Sequence, residues 1–182
     1  MRPLRSLILL LVLATVLLVA LIRPLPGRAG DTGGTKQQTR KHSQRLTQRR
    51  RHWLAKRRAE RRRARVVKYA RRFVGVPYAW GGSSPRTGFD CSGFVRFVYQ
   101  RFGISLPHSS YGDESRGRAV VRKYLKPGDL VFFAGASHVG IYVGGNRVID
   151  APHSGAVVHV STMSDWYSYE YDGARRLLLG PS

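Results

Sequence analysis

The chain has 182 residues, a formal net charge of +22 and one cysteine. This length fits one domain with appended segments. A single cysteine excludes an intramolecular disulfide bond and a zinc site built from four cysteines. Apolar residues are concentrated in an N-terminal run and again after about Val66. We therefore expect the core in roughly the last 115 residues, a length that can fold alone.

Residues 1–29 have the pattern of an export signal or a membrane anchor. Two arginines precede an uncharged apolar run, Leu7 to Ile22, and that order is typical of an export signal. The run is long for a cleaved signal and slightly short for a spanning helix of about 20 residues. The Gly27-Arg28-Ala29 sequence offers a cleavage site. Cleaved signal and retained anchor both stay open, and either predicts a location outside the cytoplasm, in the periplasm or cell wall.

Residues 30–65 are predicted to be a basic, low-complexity linker or tether, with a Gly-containing linker at Asp31 to Thr35. Lys36 to Arg65 is dominated by Arg, Lys and Gln, with Glu60 as its only acid, and contains no Pro or Gly. It cannot bury a core of its own, although it can be helical when its charge is neutralised. Three interpretations stay open: a disordered spacer, a tether to an anionic membrane or cell-wall polymer, and a nucleic-acid binder. Behind an export signal, nucleic acid is the least favoured partner.

The remaining residues, 66–182, are predicted to form a compact domain with helices first and strands afterwards. This order indicates an α+β fold rather than alternating βαβ units. An amphipathic helix is predicted from Arg65 to Val74, because apolar residues recur there at helical spacing. Apolar runs and alternating patterns predict four strands, at Leu130–Phe133, His138–Val143, Arg147–Ala151 and Ala156–Val160.

Cys91 is predicted to lie in the first turn of a second helix, from about Cys91 to Phe102. Asp90 is a good N-cap and Gly103 a good helix terminator. The unpaired N–H groups and the dipole of a helix start stabilise a thiolate. The alternative, a buried structural cysteine, would more naturally lie in the middle of the apolar face. The position therefore favours a nucleophile, whose backbone N–H could also help to bind an oxyanion.

A cysteine nucleophile needs a base, and the base needs an orienting partner. A two-residue turn at Gly145-Asn146 would pair Gly144 with Arg147. The same register would place His138 and His153 directly opposite each other on one face of the sheet. We therefore predict His138 as the base and His153 as the group that fixes its tautomer.

Other roles for the histidines are also considered. His159 shares the strand parity of His153 and is the reserve candidate. Either His138 or His153 alone could be a polar residue at the rim of the sheet. The six histidines show no His-x-x-x-His pair with an acid between, so a zinc site has little support. No metal or cofactor is expected.

Six strings run through the compact domain from Val66 to about Leu177: VPYAWGG, GFDCSGFV, LPHSS, KPGDLVFF, SHVGIYVGG and VIDAPHSG. Together they resemble the NlpC family of bacterial cell-wall cysteine peptidases. The resemblance implies a papain-like fold, in which the Cys helix packs on an antiparallel sheet of about five to six strands. It implies a Cys-His-His arrangement of Cys91, His138 and His153. It also implies hydrolysis of the bond between γ-D-glutamate and the diamino acid of peptidoglycan stem peptides.

The resemblance further implies a substrate-binding group around the nucleophile. Tyr78 lies beside the nucleophile in relatives, and Asp90 and Ser92 flank it and help to hold the amino end of the substrate. Asp90 could instead be a helix cap only, or fill both roles, and Tyr78 could be a packed aromatic. Many relatives carry Arg where this chain has His108, and we predict no role for that residue.

Three classes of function are consistent with these sequence features. The first is a stem-peptide endopeptidase that acts as a monomer. The second is an N-acetylmuramoyl amidase or acyltransferase, which would use the same nucleophile on the same fold. The third is a non-catalytic wall- or membrane-binding protein that uses the Arg-rich segment.

Overall fold

The computed structural model describes residues 32–177. The expected export signal or anchor of residues 1–29 lies outside this part. Within residues 32–177, no helix has both the length and the apolar composition required to cross a membrane. The chain divides into two compact units, Met1–Thr47 and Gln48–Ser182.

The basic segment is helical. Helix α1 extends from Thr32 to Ala70 and is followed by a 3-10 turn at Arg71–Phe73. The helix therefore begins at Thr32, inside the segment predicted as a Gly-containing linker, and the predicted helix start at Arg65 is wrong. Arg, Lys, Gln and Ala have high intrinsic helix propensity, so the amphipathic segment continues an existing helix. Near its end α1 buries Val66, Val67 and Ala70, whereas residues 36–54 are exposed.

The predicted cysteine helix is confirmed as α2, Cys91–Gln100. A small hairpin of β1 (Ser83–Ser84) and β2 (Gly88–Phe89) precedes it. The Asp90 side chain caps its start by accepting a hydrogen bond from Gly93 N. Its end is closed by Gly103, whose φ of +73° suits glycine. The buried face of α2 includes Phe94, Val95, Val98 and Tyr99.

Six antiparallel strands form the main sheet, as the predicted α+β fold requires. Their order across the sheet is β3-β8-β4-β5-β6-β7. The strands are β3 (Arg118–Ala119), β4 (Leu130–Phe133), β5 (His138–Gly144), β6 (Arg147–Asp150), β7 (His159–Thr162) and β8 (Tyr171–Arg176). Three short elements lie between these strands or before them. Helix α3 (Ser110–Glu114) precedes β3, a 3-10 turn (Arg122–Tyr124) lies between β3 and β4, and helix α4 (Asp165–Tyr169) lies between β7 and β8.

The last predicted strand, Ala156–Val160, begins later than the sequence pattern indicated. Val157 forms an isolated bridge with Pro77, and Val158 N donates to Val76 O. These residues therefore pair with the segment after α1, and β7 begins only at His159.

The sheet packs on both faces. One face and the helices enclose the larger core, which includes Val66, Phe94, Phe132, Ile141 and Ile149. The opposite face carries a smaller cluster that includes Phe133, Val148 and Met163. Because α2 packs against β5 in the larger core, the start of the cysteine helix is held against the strand that carries His138.

A bulge in the β5–β6 hairpin changes the predicted register. Gly144 pairs with Arg147 as predicted, but Tyr142 pairs with Val148 and Ile141 with Ile149. Continuing that register along β5 puts Pro152, not His153, opposite His138. The prediction that the two histidines are direct cross-strand neighbours is therefore wrong, because one extra residue reverses which face each side chain takes.

Candidate active site

Cys91 is the first residue of α2 and is partly exposed. The backbone N–H groups of a first turn and the positive end of the helix dipole surround its position. Interaction with the Cys91 side chain is among the causes that raise the pKa of His138, so the two groups lie within interaction distance. The predicted nucleophile and the predicted base are thus brought together.

His138 is the first residue of β5 and is only 8% exposed. Its Nε2–H donates a hydrogen bond to Asp150 Oδ2 at 2.7 Å, which leaves Nδ1 for proton exchange with Cys91. Burial alone would lower the pKa of His138. Hydrogen bonds with Asp150 and Cys91, and the charges of both groups, more than offset this and raise the pKa from 6.5 to about 9. The ring is therefore an imidazolium at neutral pH, the form that pairs with a thiolate.

Asp150 is the partner of His138 that sequence reasoning missed. It ends β6, is fully buried, and its Oδ2 also accepts a hydrogen bond from Tyr167 OH at 2.9 Å. Its carboxylate thus receives two donors, one from the candidate base and one from α4. The signal was present in the sequence as an acid directly after two β-branched residues in the VIDAPHSG string, but the assumed register pointed it away from His138.

His153 and His159 lie near His138 without contacting its ring. His153 Nδ1 donates to Ser154 O at 2.9 Å, and His159 Nδ1 donates to Val157 O at 3.0 Å. Both residues line a cavity of about 520 Å³ together with His138, Pro152, Trp166 and Tyr167. The His153 ring thus bonds its neighbouring carbonyl rather than the His138 imidazole, and it lines the cavity beside that imidazole.

Asp90 organises the other side of Cys91. Its Oδ1 accepts from Gly93 N at 2.6 Å and from Ser92 Oγ at 3.1 Å, and its Oδ2 accepts from Gly81 N at 3.0 Å. Burial, followed by the charges of Cys91 and Asp90, raises the pKa of Tyr78. The predicted group of Tyr78, Asp90 and Ser92 is thus assembled around the nucleophile.

His108 belongs to the same cluster, although no role was predicted for it from the sequence. Its Nε2 lies 2.9 Å from both Asp90 carboxylate oxygens. A Cβ on Gly93 would lie 2.0 Å from Gly82 O and 2.8 Å from His108 Nε2. The absence of a side chain at Gly93 therefore allows the imidazole and the hairpin to approach the helix start.

Among residues 32–177, no group of three or more His, Cys, Asp or Glu side chains is placed to hold a metal ion. The chemical capacity of the described site resides in a thiol, an imidazole and a buried carboxylate. Along the chain these groups follow the order nucleophile, base and acid. The candidate nucleophile lies on a helix, the candidate base lies on the sheet, and the acid bonds one ring nitrogen of the base.

A cysteine at a helix start facing a histidine on an antiparallel sheet defines the papain-like class. Within that class, residues 75–176 match the NlpC/P60 family model, and the chain belongs to this family. Its resemblance to the NlpC peptidases is thereby confirmed.

Three relatives show the extent of the similarity. The chain is 42% identical over 117 residues to the Gamma-DL-glutamyl hydrolase of Bacillus subtilis, covering 61% of this chain and 28% of that protein. It is 42% identical over 114 residues to the Murein DD-endopeptidase MepH of Escherichia coli, covering 58% of this chain and 42% of that protein. A crystal structure of an NlpC/P60 family protein from Bacillus cereus superposes with a TM-score of 0.60 at 36% identity, covering 63% of this chain and 39% of that one. The chain thus spans less than half the length of each relative.

Proposed function

We propose that the protein is a cysteine endopeptidase that hydrolyses peptidoglycan stem peptides at the γ-D-glutamyl–diamino acid bond. The observation that carries this proposal is the position of Cys91 at the start of α2 beside His138, whose ring is hydrogen-bonded to Asp150. The names of the relatives support the substrate class, since one is a glutamyl hydrolase and another a murein endopeptidase.

The reaction follows from the geometry around Cys91. The Cys91 thiolate attacks the γ-glutamyl carbonyl carbon, and the backbone N–H at the helix start stabilises the developing oxyanion. The His138 imidazolium then donates its proton to the leaving amine of the diamino acid. The neutral His138 then takes a proton from a water molecule, which attacks the thioester carbonyl. The sulfur is expelled as a thiolate, the γ-glutamyl carboxylate is released, and the thiolate–imidazolium pair is regenerated.

Asp150 holds His138 in this scheme, a role that the sequence had suggested for His153. Its Oδ2 accepts a hydrogen bond from Nε2–H, so Nδ1 is directed to the sulfur. His153 remains in the proposal as a residue of the cavity beside His138, with a role in substrate contact. The three reacting groups come from one chain, so a monomer is sufficient for activity.

Tyr78, Asp90 and Ser92 hold the amino end of the substrate in this proposal. The Asp90 carboxylate supplies negative charge next to the nucleophile, while Ser92 Oγ and the Tyr78 hydroxyl supply neutral polar contacts. Capping of α2 and substrate binding coexist, because the same carboxylate that accepts from Gly93 N also faces Tyr78.

Product analysis tests the proposed reaction. Purified wall fragments are digested with the wild type and with Cys91→Ala, and the products are identified by mass spectrometry. New C-terminal γ-D-glutamate in the wild-type digest alone supports the proposal. Free lactyl ends would show the alternative amidase, and cleavage of cross-links between stem peptides would show a DD-endopeptidase. Equal digestion by Cys91→Ala would leave the non-catalytic binding protein as the better description.

We also propose that the protein acts in the cell envelope outside the cytoplasm, secreted or anchored through residues 1–29. The support is the apolar run in the sequence together with the wall-directed names of the relatives. An alkaline phosphatase fusion after Gly33 tests it, because this reporter is active only where disulfides form. An inactive fusion would contradict export.

The basic segment from Lys36 to Arg65 is proposed to associate with an anionic membrane or cell-wall polymer. Most of its cationic side chains are exposed along α1, and screening makes such attraction dependent on salt. Deleting residues 36–54, which are exposed, should release the protein from isolated envelopes at a lower salt concentration. Retention that does not depend on salt would count against this role.

A further inference from the structure

The end of α1 and the end of α2 enclose a groove lined by cations. Two adjoining hollows of about 310 and 480 Å³ share Arg65, Arg101 and Phe102 as lining residues. Seven cations line the two hollows, and one of them, Arg62, bonds the loop after α2. We call this site the basic groove and define it by the other six, Arg58, Arg61, Arg65, Lys68, Arg72 and Arg101. Within the described part of the chain, no carboxylate lines either hollow, and all six side chains are exposed.

Five of the six cations form a row on one helix face. From Arg58 to Arg72 they are spaced by three or four residues, which brings successive side chains to the same side. The row extends over about 21 Å at the rise of an α-helix. Like charges at this spacing destabilise a helix, and none of the six is in an ion pair within residues 32–177. An external anion would relieve this repulsion.

The sixth cation closes the groove from the other side. Arg101 follows the last residue of α2, so the anion would be held between two elements rather than on an open helix surface. Arg62 stabilises this arrangement, because its Nη2 donates to Phe102 O at 2.5 Å and ties the loop after α2 to α1. The groove is therefore fixed by the fold and is not simply a local density of charge.

The aromatic rings in the groove are already covered. The Arg65 guanidinium lies 5.9 Å from the Phe102 ring centre, and Tyr69 meets Phe102 edge-on at 6.0 Å. Tyr69 is further stacked on Phe97 at 6.4 Å and contacted by Arg72 at 5.9 Å. Proteins that bind single-stranded nucleic acids use free ring faces to stack bases. The groove offers charge without such faces, and its concave form suits a chain rather than a planar bilayer.

We propose that the basic groove binds a linear phosphodiester polymer of the polyol-phosphate type, whose negative charges repeat along a backbone without bases. Each phosphate in the chain meets one or two guanidinium groups, and no particular monomer is selected. This inference goes beyond the catalytic proposal. Cys91 and Arg101 lie at opposite ends of α2, about 15 Å apart along the helix axis, so binding and cleavage are separable.

The test uses the full chain in a neutral detergent and fluorescein-labelled poly(glycerol phosphate) as the probe. Fluorescence anisotropy gives Kd over a series of salt concentrations. Arg65→Gln with Arg101→Gln should weaken binding about tenfold or more. The slope of log K against log salt should become smaller by roughly 0.7–0.9 for each phosphate contact removed.

A matched control removes the same charge outside both the groove and the Lys36 to Arg65 segment. Arg86 and Arg147 are exposed and line neither hollow, and Arg86→Gln with Arg147→Gln should change Kd less than about twofold. Lys68→Gln with Arg72→Gln repeats the groove test without altering the Phe102 contact. Circular dichroism confirms that each variant is folded. Equal losses in control and groove variants would overturn the proposal, because binding would then depend on total charge alone.

Competition separates the remaining possibilities. Unlabelled poly(glycerol phosphate) should displace the probe at a lower phosphate concentration than oligothymidylate or phosphatidylglycerol vesicles. More effective displacement by either competitor would overturn the choice of ligand. Cys91→Ala should bind with unchanged Kd, so failure of the peptidase proposal and failure of this one give different results.

Discussion

His138 Nε2 lies 2.7 Å from Asp150 Oδ2, and the two residues belong to adjacent antiparallel strands whose pairing is shifted by a bulge. In the shifted register Asp150 is the diagonal neighbour of His138 on the same face of the sheet. The carboxylate is fully buried, so its hydrogen bond with the imidazole is protected from competing water. This pair fixes which nitrogen of the base faces the cysteine.

Asp150→Asn should reduce kcat/KM by on the order of 10²-fold, the lower part of the range for loss of general acid–base function. An amide cannot reproduce the charge of the carboxylate, so it favours neither the correct tautomer nor the imidazolium. Steady-state cleavage of a defined stem peptide measures the effect. Asp150 acts through His138, so its substitution should also change the pH profile, which a purely structural role would not do.

His153→Asn is the matched control for the Asp150 variant. The His153 ring is exposed and bonded to the neighbouring carbonyl of Ser154, so its loss should alter KM more than kcat and reduce kcat/KM less than about tenfold. A larger loss of kcat in His153→Asn than in Asp150→Asn would restore the assignment made from the sequence.

The activity should have an alkaline limit set by His138. Its pKa is raised from 6.5 to about 9, so the imidazolium persists through neutral pH and disappears as the pH rises through about 9. The same group stabilises the fold fully below pH 6.5 and loses this contribution between pH 6.5 and 9. In Asp150→Asn the alkaline limit should move to lower pH, because a main cause of the raised pKa is removed. An unchanged limit in kcat/KM profiles would contradict this.

The cysteine helix α2 and the strands β4, β5 and β6 could be predicted from residue patterns because each pattern is local. Asp90, Cys91 and Gly103 fixed the position of α2, since capping and helix termination depend on neighbouring residues. The partner of His138 could not be found in this way. The identity of this partner depends on whether the strands pair regularly next to the turn at Gly145-Asn146. The bulge there is a feature of backbone geometry, and no single side chain predicts it.

The length of α1 was missed for a related reason. A helix of this kind exposes nearly all of its residues before Val66, so no apolar stripe marks it. Repulsion between its like charges also opposes the high helix propensity of its residues. The contact between His108 and Asp90 was missed because it joins residues 18 apart through the fold. Neither the full length of α1 nor the contact between His108 and Asp90 produces a periodic pattern of apolar residues in the sequence.

Gly140→Ala should destabilise the protein and reduce its activity together. An added Cβ would lie 2.4 Å from Val148 Cγ2 and 3.1 Å from Asp150 Cβ. Such overpacking costs about 1–3 kcal/mol and would displace the carboxylate from His138. Gly173→Ala is the control, because nothing lies within 4 Å of its added Cβ. Thermal unfolding should show a lower Tm for Gly140→Ala only, and equal shifts would contradict the proposed steric cause.

His108→Ala should raise KM more than it lowers kcat. The His108 ring contacts both oxygens of Asp90, so its removal loosens the carboxylate that is proposed to hold the amino end of the substrate. His108→Arg should restore most of the affinity, because a guanidinium can donate to both carboxylate oxygens. Comparison of KM for substrates with free and acetylated amino ends measures this role. Equal effects on both substrates would indicate that His108 only supports the fold.

Ionisation of Asp113 should lower the free energy of unfolding as the pH rises from about 4 to about 7. Both of its carboxylate oxygens are buried without a hydrogen-bond partner among residues 32–177. Burial, opposed by the charge of Arg116, raises the pKa of Asp113 from 3.8 to about 7. The folded state therefore retains a proton that the unfolded state has lost, so stability falls between about pH 4 and 7 and then levels off. At full titration this difference corresponds to at most about 4 kcal/mol.

Asp113→Asn removes the ionisation while it keeps the shape of the side chain. Denaturant unfolding at pH 5 and pH 8 should show that the variant is more stable than the wild type only at the higher pH, since an amide never carries the buried charge. Glu114→Gln, on the same helix but partly exposed, should leave the pH dependence unchanged. A wild-type free energy of unfolding that is equal at both pH values would mean that Asp113 is compensated in solution, for example by a water molecule that bonds its carboxylate.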